Sequence, residues 1–157
     1  MNYMLEINQE LPQFQISTDD VEFKISDYTG KNIVIFFFPR ADTSGCTAES
    51  IAFSNLQKDF DNANCVVIGI SKDTKEKQLK FRLKYNLTCK LGADFENTVC
   101  EQFGVWIEKS MYGKKYMGIQ RATFLSNTDG IIKYIWPKVK VPGHAEEVLS
   151  ELKKLNA

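Results

Sequence analysis

Four cysteines, Cys46, Cys65, Cys89 and Cys100, and a single histidine, His144, are the soft nucleophiles and metal-ligand candidates of this 157-residue chain. No two cysteines have the C-x-x-C spacing of a disulfide reductase, and His144 lies far along the chain from all of them, so neither paired-thiol chemistry nor a metal site is expected. Cys46 differs from the others in what precedes it. The segment Pro39-Arg40-Ala41-Asp42-Thr43-Ser44-Gly45-Cys46 sets a hydroxyl three residues before the thiol and a proline seven before it. Cys46 also falls where a strand gives way to a helix, and the free N–H groups of a first helical turn carry partial positive charge. A free cysteine titrates at about 8.5, and helix N-termini and neighbouring cations lower that value, which makes the nucleophilic thiolate available at neutral pH.

The neighbours have tasks in such a reaction and simpler roles beside them. Thr43 is placed to hydrogen-bond the sulfur and an incoming substrate, or to cap the helix. Pro39, with no N–H and a rigid ring, walls the sulfur from water or simply ends the strand. Gly45 lets the backbone come close to a substrate oxygen. A thiolate that displaces an oxygen leaving group pushes negative charge onto that oxygen, so a cationic donor lowers the barrier. Arg121 stands just before the apolar run Thr123 to Ser126. If that run pairs antiparallel with Ile33 to Phe38, Arg121 comes to Cys46. Glu49, three residues beyond Cys46, either holds the guanidinium by a charge-assisted hydrogen bond or complements the helix dipole.

The elements that must position these residues read as follows. Gln13 to Ile16 and Val21 to Ile25 flank Ser17-Thr18-Asp19-Asp20 and predict an N-terminal hairpin. Ile33 to Phe38 is apolar throughout, as a central strand covered on both faces should be. Thr43 to Asp61 has helical period with Phe53, Leu56 and Phe60 on one face; Val66 to Ile70 predicts a second buried strand, parallel to the first, and Thr74 to Tyr85 a charged helix. A short helix around Asn97 to Phe103 follows. Thr123 to Ser126 and Ile131 to Trp136 bracket Asn127-Thr128-Asp129-Gly130 as a hairpin, and Val148, Leu149, Leu152 and Leu155 line one face of the last helix. The order βαβα then ββα predicts an α/β, thioredoxin-like fold, a central mixed sheet flanked by helices, with an N-terminal β-hairpin extension and one domain over residues 1–157. Phe38, Trp106 and Trp136 are expected in the core.

Lysine plus arginine equal aspartate plus glutamate at 20 each, so no strong field draws the chain to nucleic acid or an acidic membrane. No stretch is long and apolar enough to span a bilayer, and Met1 to Glu6 lacks the basic and apolar regions of a signal peptide. A cytoplasmic protein with reduced thiols is expected.

The segment Pro39 to Cys46 resembles the P-x-x-x-T-x-x-C active-site motif of peroxiredoxins, and Trp106 to Arg121 (WIEKSMYGKKYMGIQR) resembles their bacterioferritin comigratory protein, or Q-type, branch, as does Val141 to Glu147. The resemblance implies reduction of hydrogen peroxide or organic hydroperoxides through a Cys46 sulfenic acid, with Thr43, Pro39 and Arg121 forming the pocket. It implies no metal or organic cofactor and a monomer. Thioredoxin, glutaredoxin or a low-molecular-weight thiol is the expected reductant. The sequence departs from the branch in two places: Ser44 stands where proline is frequent, and Ile51 occupies the position, five beyond Cys46, where many members carry a resolving cysteine. Phe81-Arg82-Leu83 offers no thiol in the next helix either. Cys65 is read as core and Cys89 as distant. Cys100, in a helix expected to start on the active-site side, is the best internal resolving candidate, although a one-cysteine cycle is favoured. The alternative class is a thioredoxin-fold redox sensor or binding protein, in which Cys46 reacts without turnover.

Overall fold

The computed structural model describes residues 3–96 and 98–157; Asn97, where the short helix is expected to begin, lies outside the described residues. The apolar run forms β3 (Asn32–Phe37), every residue of which is buried, and β4 (Cys65–Ser71) is buried throughout beside it. The two are parallel, Ile33 opposite Val66 and Phe37 opposite Ile70. Around them a mixed sheet of seven strands takes the order β2-β1-β5-β4-β3-β8-β9, with β1 (Gln15–Thr18), β2 (Phe23–Lys24), β5 (Lys90–Ala93), β8 (Ala122–Ser126) and β9 (Ile132–Trp136).

Alternation along β3 divides the core into two layers. Val34, Phe36 and Phe38 face Phe53 of α1 (Ser44–Asn55), Phe60 of α2 (Gln57–Asn62), Phe81 of α3 (Lys75–Tyr85), and Val148 and Leu152 of α5 (His144–Asn156). Ile33, Ile35 and Phe37 face the other way, onto Leu11, Phe14, Phe103 and the short α4 (Thr98–Gln102).

Three elements differ from the sequence expectation. The helix expected over Thr43 to Asp61 breaks at Leu56, whose backbone sits at φ −99°, ψ 10°. The Ser54 hydroxyl just before the break accepts the Thr88 N–H at 3.0 Å and the Cys89 N–H at 3.3 Å, tying the end of α1 to the loop before β5. The segment Lys90-Leu91-Gly92 is a strand, masked in sequence by a glycine that is there for space: a Cβ on Gly92 would stand 3.0 Å from Ile16 Cδ1 and 3.1 Å from Ile70 Cγ1. The stretch from Trp106 forms a separate hairpin, β6 (Trp106–Met111) and β7 (Lys114–Ile119), turned at Tyr112 and Gly113 with φ of 52° and 79°. The N-terminal hairpin forms as expected and pairs through β1 with β5, so it completes the edge of the central sheet.

Gly69, in the middle of β4, carries the tightest side-chain constraint in this core. A Cβ there would lie 2.4 Å from Phe36 Cζ, and Phe36 has no freedom to yield because it stacks on Phe53 at 4.4 Å. Gly69→Ala is expected to lower the unfolding free energy by about 1–3 kcal/mol, read as a lower urea midpoint at unchanged m-value.

Candidate active site

β3 ends at Phe37, and the next six residues carry the chain to the start of α1, placing Cys46 in the first turn of that helix. The first helical bond runs from the Thr47 N–H to the Thr43 carbonyl at 2.8 Å. On the other side of β3, β8 runs antiparallel with Ala122 opposite Phe37, so the residue before it, Arg121, arrives beside the end of β3. The Arg121 carbonyl accepts the Val139 N–H at 3.0 Å. From that anchor the guanidinium reaches two groups at once: Nη2 donates to Cys46 Sγ at 3.2 Å and Nη1 to Glu49 Oε1 at 2.6 Å. Cys46 is fully buried, Glu49 is 1% exposed and the Arg121 side chain 18%. One helical turn separates Cys46 from Glu49, which is why a planar fork can bridge them.

Burial opposes the charge on Arg121, but the Glu49 carboxylate and the Cys46 sulfur outweigh it and hold the guanidinium above its ordinary range. Burial also pushes the Glu49 carboxyl up to about 7, against the pull of Arg121. In the unfolded chain Glu49 loses its proton near 4.5, whereas the fold retains it to higher pH. The stabilisation is complete below the unfolded value and is lost as pH rises through about 7. We expect Glu49→Gln to remove on the order of 3 kcal/mol of pH-dependent stability between those limits, measured as a flattened slope of urea midpoint against pH.

Other groups lie around this pair. Burial lowers Lys109 on β6, the Arg121 charge lowers it further, and Cys46 pulls the other way, so a second cation stands in the field of the sulfur. His144 sits edge-on to Phe53 and Trp136 with Nε2 2.8 Å from Thr123 Oγ1, and burial holds it down at about 4. It is a neutral core histidine at physiological pH. Trp136 is buried, Phe38 fully so, and Trp106 half-buried beneath the Lys72 ammonium.

The loop residues are arranged in part differently from expectation. Pro39 is half-buried at the end of β3. Thr43 occupies the N-cap position, yet its hydroxyl neither caps the helix nor meets the sulfur; it donates to the Arg40 carbonyl at 2.9 Å. The side chain is exposed there and closes a local turn. Gly45 has a function that its position in the sequence did not reveal: a Cβ would stand 3.2 Å from Arg121 Nη2, so the missing side chain is the clearance through which the guanidinium reaches sulfur. Gly45→Ala is expected to displace Arg121 by a few tenths of an ångström and to slow any reaction of Cys46 that needs the guanidinium in register about tenfold, with little change in thermal midpoint.

The remaining thiols are all buried and all free. Cys65 begins β4 opposite Asn32, at the end of the sheet away from Cys46, and burial pushes its thiol up to about 12. Cys89 lies on the Cys46 side of the sheet but against Ser54, whose hydroxyl is 3.5 Å from its sulfur. Eight residues of α1 separate Ser54 from Cys46, about 12 Å along the axis. Burial raises this thiol as well. Cys100 packs in the opposite core layer from Cys46, so the central sheet stands between the two sulfurs. A disulfide needs Cα atoms within about 7 Å, and no bridge crosses an intact sheet. The helix carrying Cys100 starts at the active-site end, as expected, but on the other face. Burial and Asp94, which receives the Cys100 N–H at 2.7 Å, raise its thiol far above the ordinary value. Among the described residues no three metal-ligating side chains cluster, and no helix is long and apolar enough to cross a membrane.

Residues 7–135 match the AhpC/TSA family. The chain is 44% identical to a putative peroxiredoxin of Coxiella burnetii over 94% of its own length and 99% of that protein, and 42% identical to the peroxiredoxin Bcp of Bacillus subtilis over 97% and 98%. It superposes on the bacterioferritin comigratory protein of Xanthomonas campestris, whose alkyl peroxide reduction has been studied structurally, with a TM-score of 0.90 at 34% identity over 97% of this chain and all of that one. A mutant of Xylella fastidiosa PrxQ matches over the full length of both chains with a TM-score of 0.93 at 33% identity. The chain belongs to the AhpC/TSA family of peroxiredoxins. It is a thiol-dependent peroxidase of the Q type, with the thioredoxin-like fold of that group.

In this peroxiredoxin the features missed in sequence are those that join segments far apart along the chain. Lys109 was only one of three lysines between residues 106 and 116. Asp73, which accepts the Ala41 N–H at 2.7 Å, and the pair Lys84 and Tyr85, which donate to the Asp42 carboxylate at 2.9 and 2.5 Å, carried no motif. The one available signal was an aspartate in a turn directly after a buried strand, a position at which such side chains accept backbone N–H groups.

Proposed function

We propose that Cys46 is the peroxidatic residue, and that hydrogen peroxide and alkyl hydroperoxides are its substrates. The observation that carries this reading is the guanidinium shared between Cys46 Sγ at 3.2 Å and Glu49 Oε1 at 2.6 Å. A guanidinium fixed against sulfur has N–H groups left over to donate to an oxygen that approaches it. The thiolate attacks the nearer peroxide oxygen and the O–O bond breaks. The S–O bond forms with oxidation of sulfur to the sulfenic acid, and the departing oxygen takes a proton from solvent to leave as water or alcohol. Arg121 stabilises the charge on the departing oxygen, Thr43 supplies a second contact when its hydroxyl leaves the Arg40 carbonyl, and Pro39 excludes water. Glu49 and Gly45 hold and admit the guanidinium.

The burial and placement of Cys65, Cys89 and Cys100 support a one-cysteine cycle. An external thiol attacks the sulfenic acid, water leaves, and a second thiol releases Cys46 from the mixed disulfide. Thioredoxin, glutaredoxin or a low-molecular-weight thiol serves as that reductant, and the enzyme works as a cytoplasmic monomer. The test is the intact mass of reduced protein after one equivalent of hydrogen peroxide. Gain of one oxygen is expected. Loss of two hydrogens overturns the one-cysteine cycle, and no rapid change overturns the assignment of Cys46.

A further inference from the structure

The six residues between β3 and α1 have no regular structure of their own, yet they set where Thr43, Gly45 and Cys46 stand. Two sets of bonds from the β4–α3 unit hold them. The first is buried. The Ala41 N–H donates to Asp73 Oδ2 at 2.7 Å, and the Ser71 hydroxyl donates to the same oxygen at 2.6 Å. Ser71 Oγ in turn accepts from Gln78 Nε2 at 2.9 Å, and the same amide donates to the Gly92 carbonyl at 2.8 Å. Ser71 and Gln78 are fully buried and Asp73 is 8% exposed. A continuous chain of hydrogen bonds therefore runs from β5, through α3 and the end of β4, to the backbone just before Cys46.

The second set lies on the surface. Asp42, the next residue, has φ of 63°, a left-handed conformation that costs a residue with a side chain about 1 kcal/mol or more. Its carboxylate accepts from Tyr85 Oη at 2.5 Å and Lys84 Nζ at 2.9 Å, both at the end of α3. Successive residues of the loop are thus held from the turn just before α3 and from the last turn of that helix.

We propose that Asp73 is a positioning residue for peroxide reduction: through the Ala41 N–H it fixes the loop that aligns Thr43 and Cys46 with Arg121, and Asp42 clamped by Tyr85 and Lys84 is the outer half of the same device. Polar groups are costly to bury, and apolar side chains at Ser71 and Gln78 would pack the same space without needing partners. What the chain of bonds adds is one defined loop geometry. A misplacement of about 1 Å at a reacting centre costs on the order of 100-fold in rate, whereas simple exposure of a thiolate to a small alkylating agent requires no such alignment.

The inference rests on reading Cys46 as the peroxidatic residue, and the experiment keeps the two apart. Second-order rates of Cys46 with hydrogen peroxide and with iodoacetamide are compared in the unsubstituted protein, Asp73→Ala, Asp73→Asn and the exposed pair Asp42→Asn with Tyr85→Phe. No reaction of the unsubstituted protein with peroxide removes the reading of Cys46 itself. If that reaction is present, Asp73→Ala is expected to lose about 10- to 100-fold with peroxide and less than about threefold with iodoacetamide. Asp73→Asn, whose amide oxygen still accepts the Ala41 N–H, should recover most of the rate. The surface pair should show a selective loss of about threefold or more and serves as the test should Asp73→Ala fail to fold. Unchanged peroxide rates in the folded variants, or equal losses with both reagents, overturn the proposal.

Discussion

Cys46→Ser is expected to abolish peroxide consumption, lowering turnover with any thiol reductant by at least about 1000-fold, while leaving the thermal midpoint near that of the unsubstituted protein. The substitution exchanges sulfur for a smaller oxygen in a fully buried position that still has the Arg121 Nη2 donor beside it, so the fold loses little. The peroxide rate should fall because a serine hydroxyl is a far weaker nucleophile than a cysteine sulfur. The control is Cys100→Ala. With the sheet between Cys100 and Cys46, removal of its sulfur should leave more than half of the turnover, and Cys89→Ala should do the same. A Cys100→Ala protein that accepts one equivalent of peroxide but turns over no further would restore Cys100 as a resolving residue and require the fold to open during the cycle. The measurement is peroxide consumption under excess reductant, followed beside the mass of the oxidised protein.

Most parts of this enzyme that were legible in sequence have a local physical cause. The apolar run from Ile33 to Phe38 is a central strand because nothing in it tolerates water, and Phe53, Leu56 and Phe60 turn inward on the face that the helical period assigned them. The pairing of Arg121 with Cys46 was non-local and still readable, because one antiparallel register, Phe37 opposite Ala122, brings the two together. What escaped depended on which face of a sheet an element covers. Cys100 lies at the correct end of the sheet and on the wrong face; the chain between Ala93 and Thr98 is too short to carry a helical period that would show the side it takes. Gly92 hid β5 for a related reason, since its cause is crowding by Ile16 and Ile70 from two other strands. Thr43 shows the limit of a motif: residue type and spacing identified the position, but the direction of its hydroxyl depends on the Arg40 carbonyl, which no spacing rule contains.

Arg121 is the substitution that separates catalysis from stability most clearly. Arg121→Met should lower the second-order rate with peroxide by about 100- to 1000-fold, the usual loss when a fixed donor to developing negative charge is removed. It should also destabilise the fold at pH above about 7, because Glu49 is 1% exposed, loses its cationic partner, and among the described residues has no hydrogen-bond partner for its second oxygen. Breaking a buried pair from one side costs about 3–5 kcal/mol, and the cost falls at lower pH as Glu49 takes up a proton. Arg121→Lys keeps the charge but cannot serve sulfur and carboxylate together, so it should recover stability better than rate. The decisive variant is the double substitution Arg121→Met with Glu49→Gln. Removing both charges should restore most of the lost stability and none of the lost activity, measured as urea midpoints at pH 6 and 8 beside stopped-flow peroxide rates. Recovery of the rate along with stability would mean that Arg121 acts only by holding α1 in place, and the donor to the departing oxygen would then have to be the backbone of the first helical turn.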